Sequence, residues 1–296
     1  MASKELESVL QLIREFALRD LKSVEEMRQQ FEADAKMFKL AEDIRCEPVR
    51  ANRLQGEWIV PPEAVDDRVV VYLHGGGYVT GSINTHREMV SRISRASAAR
   101  GLLVKYRLAP EHPYPAALED AGASYEWLLA EGWEPGRIVI AGDSAGGGLT
   151  VALQVSLRER GYPLPAASVC ISPWVDLEGT AASMITKADV DPIVQREDVL
   201  FLARMYLGKR DRRTPLAAPL YADLTGLPPM LIQVGTSETL LDDATRLAAR
   251  AEEAGVKVVL EAWEDMFHVW HWFASMLPEG RDAIAHIGGF VQQHTE

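Results

Sequence analysis

Residues 137–149, Arg-Ile-Val-Ile-Ala-Gly-Asp-Ser-Ala-Gly-Gly-Gly-Leu, leave this chain few ways to fold. Ile138, Val139, Ile140 and Ala141 form a short apolar run, the pattern of a strand buried on both faces. Leu149, Ala152, Leu153 and Leu157 then recur at helical spacing. Between strand and helix there is room only for a tight turn, Gly142-Asp143-Ser144-Ala145-Gly146. Gly142 and Gly146 let the two elements approach without Cβ clashes. Ser144 then stands at a helix N-terminus, where free N–H groups and the helix dipole favour negative charge. A capping serine in a glycine-rich turn has the same G-x-S-x-G spacing. With this strand before it and this helix behind it, the pentapeptide reads as a strained elbow that exposes the Ser144 hydroxyl as a nucleophile.

The rest of the chain supplies a frame for that turn. Apolar runs at 44–50, 54–60, 68–73, 101–105, 138–141, 166–171, 230–234 and 256–262 predict eight strands, with Asn52 at the turn between the first two. Helical patterns near 84–99, from Pro115, behind the elbow, at 242–254, in the aromatic run after His268 to about 275, and at 279–293 follow or alternate with them. That alternation predicts a mostly parallel sheet flanked by helices. Two segments break the rhythm. Residues 5–19 place Leu6, Val9, Leu10, Ile13, Phe16 and Ala17 on one helical face, and Ser23 and Glu26 are spaced as the capping box of a second helix. Residues 179–215 carry Asp189-Val190-Asp191-Pro192 and a helix near 196–207. Both segments suit either plain packing or a cap over a pocket. The expected division is therefore 1–45 and 179–215 as cap, and 46–178 and 216–296 as core.

With 47% hydrophobic residues in 296, the chain has enough apolar material for a large core. Its formal net charge of −12 argues against nucleic acid and anionic membrane surfaces as partners. The two cysteines, Cys46 and Cys170, form no Cys-x-x-Cys pair, which argues against a zinc site. No signal-peptide core and no apolar run near the ~18 residues of a membrane span is present, which predicts a cytoplasmic protein without stable membrane association.

In a parallel sheet, ligands bind beyond the carboxyl ends of the strands, and four unusual segments fall there. Strand 68–73 runs into His74-Gly75-Gly76-Gly77-Tyr78. Three glycines in a row cost backbone entropy, and they make sense where N–H groups must face a ligand on bare backbone. Ser144 follows 138–141, Glu238 follows 230–234, and His268 follows 256–262. Nucleophile, acid and histidine in that chain order match the α/β-hydrolase arrangement. The expected roles are Ser144 as nucleophile, His268 as base and Glu238 as its orienter, with Gly76, Gly77 and Ala145 as oxyanion donors. Asp242 or Asp243 is the alternative acid, although both read as helix caps, and His271 is the alternative base. His74 is expected to hold the glycine loop, Asp143 to brace the elbow and Asp176 to support a neighbouring loop.

His74-Gly75-Gly76-Gly77, Tyr106-Arg107-Leu108-Ala109-Pro110-Glu111, Gly142-Asp143-Ser144-Ala145-Gly146-Gly147 and Ser172-Pro173-Trp174 together resemble the bacterial hormone-sensitive lipase family of carboxylesterases. The resemblance runs from about residue 55 onward. Many members have aspartate where this chain has Glu238, which keeps the charge and adds one methylene. Glu238-Thr-Leu-Leu-Asp242 still follows the family's spacing. The resemblance implies an α/β-hydrolase fold with a helical cap, hydrolysis of short- to medium-chain acyl esters, no cofactor, and homodimers through the sheet edge. An amidase or acyltransferase on the same site, or a non-catalytic receptor of the same fold, is the alternative, and His268 argues against the receptor.

Overall fold

The computed structural model describes residues 3–17, 23–51 and 54–296. The strands are β1 (Arg45–Ala51), β2 (Leu54–Val60), β3 (Val69–Leu73), β4 (Arg100–Val104), β5 (Ile138–Asp143), β6 (Ala167–Ile171), β7 (Met230–Gly235) and β8 (Val258–Trp263). They form one sheet in the order β1-β2-β4-β3-β5-β6-β7-β8. β1 and β2 join antiparallel, and every pairing from β4 to β8 is parallel. This is the α/β-hydrolase fold with the mostly parallel eight-stranded sheet expected from the sequence. The turn placed at Asn52 and the expected helix end at 18–19 lie outside the described residues.

The helices are α1 (Lys4–Ala17), α2 (Val24–Ala35), α3 (Ile83–Ala96), α4 (Ala116–Ala130), α5 (Ala145–Glu159), α6 (Ser183–Thr186), α7 (Arg196–Leu207), α8 (Leu241–Glu253) and α9 (Pro278–His294). The capping box at α2 forms, with Glu26 N–H donating to Ser23 and Ser23 N–H to Glu26. Strand side chains alternate between the two helical layers, as a period of two requires. Val69, Val71 and Leu73 pack with Ala117 and Leu128 of α4 and Leu149 and Leu153 of α5. Val70 and Tyr72 pack with Met89 and Ile93 of α3 and Ile287 and Val291 of α9. Leu6, Val9 and Ile13 of α1 share a cluster with Met266, Phe267, Trp270 and Phe273.

Two local expectations are corrected. The aromatic run after His268 is a 3-10 turn, Trp270–Phe273, rather than a helix to 275. Trp270, His271 and Phe273 are buried and Trp272 is only partly exposed, so little solvent face is left to give a helix its amphipathic stripe, and Val269 enters with φ 52°. Asp242 and Asp243 do not cap α8, whose N-cap Leu240 makes no side-chain bond. Their carboxylates reach across to another segment instead. Asp242 accepts from Ser183 N–H at 2.8 Å, and Asp243 from Val175 and Asp176 N–H at 3.0 and 2.9 Å.

The seam between α3 and α9 generates a paired prediction. A Cβ on Gly288 would lie 2.3 Å from the Ala96 carbonyl oxygen, whereas one on Gly289 meets nothing within 4 Å. Helix propensity favours alanine at both by up to ~1 kcal/mol. At Gly288 the clash is with backbone and cannot rotate away, so overpacking of ~1–3 kcal/mol dominates. Gly288→Ala should lower the urea midpoint and Gly289→Ala should raise it slightly.

Candidate active site

From Ile138 to Leu157 every residue is buried except Ser144. The elbow produces this. Ser144 sits at φ 52° and ψ −120°, a strained backbone for a residue with a Cβ. Its N–H donates to Ile171 O at 2.8 Å, and its carbonyl accepts from Trp174 N–H at 2.9 Å, so β6 and the following loop lock it in place. The turn closes because a Cβ on Gly146 would stand 1.9 Å from Leu73 O.

The glycine loop lies beside it. Gly76 and Gly77 take φ 109° and 64°, conformations that glycine adopts without strain. Gly76 O accepts from Val79 N–H at 3.1 Å and from Thr80 N–H at 2.8 Å. Because the peptide is planar and trans, the Gly77 N–H is turned the opposite way, out of the turn. Among the described residues, the N–H groups of Gly76, Gly77 and Ala145 donate to no protein acceptor. Asp143 braces the loop as well as the elbow, accepting from Gly75 N–H at 3.0 Å and Tyr72 OH at 2.9 Å. Burial opposes its charge, but His86 at 3.3 Å and the Tyr72 hydrogen bond outweigh that and hold the carboxyl below its ordinary range.

Besides His86, three more buried histidines lie at or beside this end of the sheet, and these three differ electrically. His74 Nδ1 donates to Gly75 O at 2.8 Å, its ring stacks on Tyr106 at 4.2 Å, and burial pushes its pKa down to about 3. His271 Nε2 donates to Gln233 Oε1 at 2.7 Å and burial likewise takes it to about 3. His268 behaves differently. Burial also opposes its charge, yet Nδ1 bonds Glu238 Oε2 at 2.8 Å, and that bond with the carboxylate's charge raises its pKa above the ordinary 6.5. Of the three candidate acids only Glu238 touches a histidine. Asp242 and Asp243 are committed to backbone N–H groups elsewhere, and burial raises Asp243 to about 7.

Sequence reasoning assigned no role to Ser172, although it noted the Ser-Pro-Trp segment. Ser172 Oγ donates to Glu238 Oε1 at 2.9 Å and accepts from Val269 N–H at 3.2 Å, joining the acid loop to the histidine loop. Gly235 N–H donates to the same Glu238 oxygen at 2.6 Å. Asp191, another residue without an assigned role, accepts from Thr239 N–H at 2.7 Å and so ties segment 179–215 to the acid loop. Asp176 accepts from Tyr221 OH and Arg246 at 3.0 Å each and anchors the start of that segment. Among the described residues no cluster of three or more His, Cys, Asp or Glu side chains is disposed to hold a metal, and no helix is long and apolar enough to cross a membrane.

A family described as the alpha/beta hydrolase fold matches residues 70–272. An acetyl-hydrolase of Streptomyces hygroscopicus is 48% identical over 83% of this chain and 82% of its own length. An esterase of Acinetobacter venetianus is 34% identical over 86% and 84%. The crystal structure of an esterase from the bacterial hormone-sensitive lipase family is 52% identical, with a TM-score of 0.98 over 100% of both chains. The chain belongs to the bacterial hormone-sensitive lipase family. As a member of that family it is a carboxylic ester hydrolase of the α/β-hydrolase fold.

In this hormone-sensitive lipase relative the balance at His268 is open to titration. The raised value stabilises the folded protein below pH 6.5, and that contribution is lost as pH rises through the folded value. Replacing Glu238 by Gln removes the carboxylate that opposes burial most strongly and leaves only the charges of Asp191 and Asp143 against it. The His268 imidazole should then titrate below 6.5 instead of above it, as read by NMR, and the acid limb of any residual activity should move the same way.

Proposed function

We propose that this chain is a serine carboxylesterase that cleaves short- to medium-chain acyl esters through Ser144, His268 and Glu238. The observation that carries this reading is the division among the histidines. His74 and His271 are held neutral by burial, while His268, paired with Glu238, keeps a proton affinity suited to a base near neutral pH.

In the reaction, His268 Nε2 takes the Ser144 proton as Oγ attacks the ester carbonyl. The oxygen of the tetrahedral intermediate gains the negative charge and receives the N–H groups of Gly76, Gly77 and Ala145, where losing one such donor costs ~3–4 kcal/mol. The imidazolium, stabilised by ionised Glu238, returns its proton to the leaving alkoxide, and the acyl group stays on Ser144. Water then attacks the acyl-enzyme with His268 again as base. The carboxylic acid leaves and Ser144 recovers its proton.

Residues 1–45 and 179–215 act as the cap in this reading, and 46–178 and 216–296 as the core. Its support is the position of α7. Leu202 Cδ1 lies 2.5 Å from where a Cβ on Gly77 would stand, and Tyr206 stacks on Tyr78 at 3.7 Å. Apolar side chains therefore close directly over the glycine loop and bound the space for an acyl chain. A cytoplasmic homodimer is proposed with it. Cys46 and Cys170 are unpaired, and edge strand β8 exposes Val259 and Leu260.

Hydrolysis of p-nitrophenyl esters of increasing length should peak at short chains and fall at least ~10³-fold in Ser144→Ala. Leu202→Ala should move the optimum toward longer chains. Absence of turnover at every length in the wild type would sink the proposal. Light scattering should give twice the chain mass, reverting to the monomer in Val259→Lys.

A further inference from the structure

We propose that Arg28, on α2, is a positioning residue for the oxyanion donors and holds the Gly76–Thr80 turn from outside the sheet. The proposal rests on the reading that the N–H groups of Gly76 and Gly77 receive the oxyanion.

The turn has weak internal support. Its hydrogen bonds converge on one acceptor, Gly76 O, which takes Val79 N–H at 3.1 Å, Thr80 N–H at 2.8 Å and the Thr80 hydroxyl at 3.0 Å. They fix the head of the turn but leave the outward carbonyls of Tyr78 and Val79 to other partners. Ala109 N–H donates to Tyr78 O at 2.9 Å. Arg28 supplies the rest. Its Nε donates to Val79 O at 2.9 Å, and its Nη2 donates to Ala109 O at 2.9 Å. One guanidinium thus grips the exit of the glycine loop and the proline-rich segment that holds the same loop from the other side.

Glu111 sets the orientation of that guanidinium. It accepts from Nη1 at 2.9 Å and Nη2 at 2.7 Å, a two-point fork. The Glu111 side chain is 54% exposed, so the ion pair itself adds little stability. Its effect is geometric, because it presents Nε and Nη2 edge-on to the two carbonyls. A lysine ammonium is a point donor and cannot span two carbonyls and a carboxylate in one plane. The rest of α2 seats the arginine. Glu32 accepts from the Ser82 hydroxyl and from Asn84 at 3.2 Å, and Phe31 sets its edge on His86 at 5.7 Å. His86 in turn contacts Asp143 at 3.3 Å, and Asp143 accepts from Gly75 N–H at 3.0 Å. Both flanks of the three-glycine run are thereby referred to α2.

The test uses the full chain with Arg28→Met, Arg28→Lys and Glu111→Gln. Two quantities are read: kcat and KM for p-nitrophenyl butyrate per organophosphate-titrated site, and amide hydrogen exchange over 75–82 by mass spectrometry. Arg28→Met should lower kcat by roughly ten- to a hundredfold with KM within about twofold, the size expected when donors are slightly misplaced. Exchange over 75–82 should quicken while that over 138–143 does not. Arg28→Lys should recover only part of the loss, and Glu111→Gln should lower kcat a few-fold. If Arg28→Met does not fold, Glu111→Gln at the exposed end of the pair carries the same readouts. Unchanged exchange over 75–82 overturns the proposal, as does a kcat within about twofold of wild type, or a loss confined to KM. A wild type without ester turnover would instead refute the proposed function, and exchange alone would then decide whether Arg28 holds the turn.

Discussion

The whole structure depends on an approach of backbone to backbone at the end of β3. A Cβ on Gly146 would fall 1.9 Å from Leu73 O, and one on Gly142 would fall 2.4 Å from Gly146 O. No side chain fits at either place, so the first turn of α5 rests directly on the carboxyl end of β3. That contact sets Ser144 at the tip of the elbow and brings the glycine loop, which continues from β3, beside it. Asp143 fixes the distance between the two by accepting from Gly75 N–H, and a Cβ on Gly75 would collide with its carboxylate at 2.1 Å. The proposed nucleophile and the candidate oxyanion donors thus share one rigid joint rather than two independent loops.

The electrostatics of the site follow from a contest that burial wins twice and loses once. Taking an imidazolium out of water is costly, and a single hydrogen bond to a neutral backbone or amide oxygen does not offset it. His74 and His271 have only such partners and remain neutral. His268 has a carboxylate, itself held by the Gly235 N–H and the Ser172 hydroxyl on its other oxygen. With one oxygen fully engaged by donors, the other is aimed at Nδ1, which fixes the tautomer and leaves Nε2 free for the role proposed for it. The difference between the two neutral histidines and the proposed base is the charge of one partner.

What the sequence disclosed and what it hid divide along the same line. Strands buried on both faces are dominated by apolar residues, so β3, β5 and β7, the last interrupted only by Gln233, were visible as apolar runs, and the residues at their ends could be placed at the site edge. Pairing across the sheet left no local trace. Ser172 meets Glu238 and Val269 from 66 and 97 residues away, and nothing in a serine before a proline announces that. Asp242 and Asp243 obeyed the local rule for helix caps, but buried N–H groups at Ser183, Val175 and Asp176 had no other acceptor, and the longer-range demand prevailed. The aromatic run at 270–273 misled in the opposite sense, because burial of three of its four residues blurs the periodicity that distinguishes a helix from a turn.

The helices that stand outside the βα alternation also acquire a common physical role. Left-handed residues at Tyr78, Ser144, Ser172 and Val269 show that the strand-end loops hold conformations their own sequences disfavour. Such conformations persist only where surroundings over-determine them. α1 packs with the segment that carries His268, α2 reaches the glycine loop through Arg28, and Leu202 and Tyr206 of α7 press on Gly77 and Tyr78. Asp191 ties the acid loop to the segment that leads into α7. Packing against the strand-end loops is common to α1, α2 and α7. By packing on loops that cannot hold themselves, these helices supply the rigidity the sheet lacks beyond its strand ends, and any side chain they present over Ser144 is held by the same contacts that keep the loops in register.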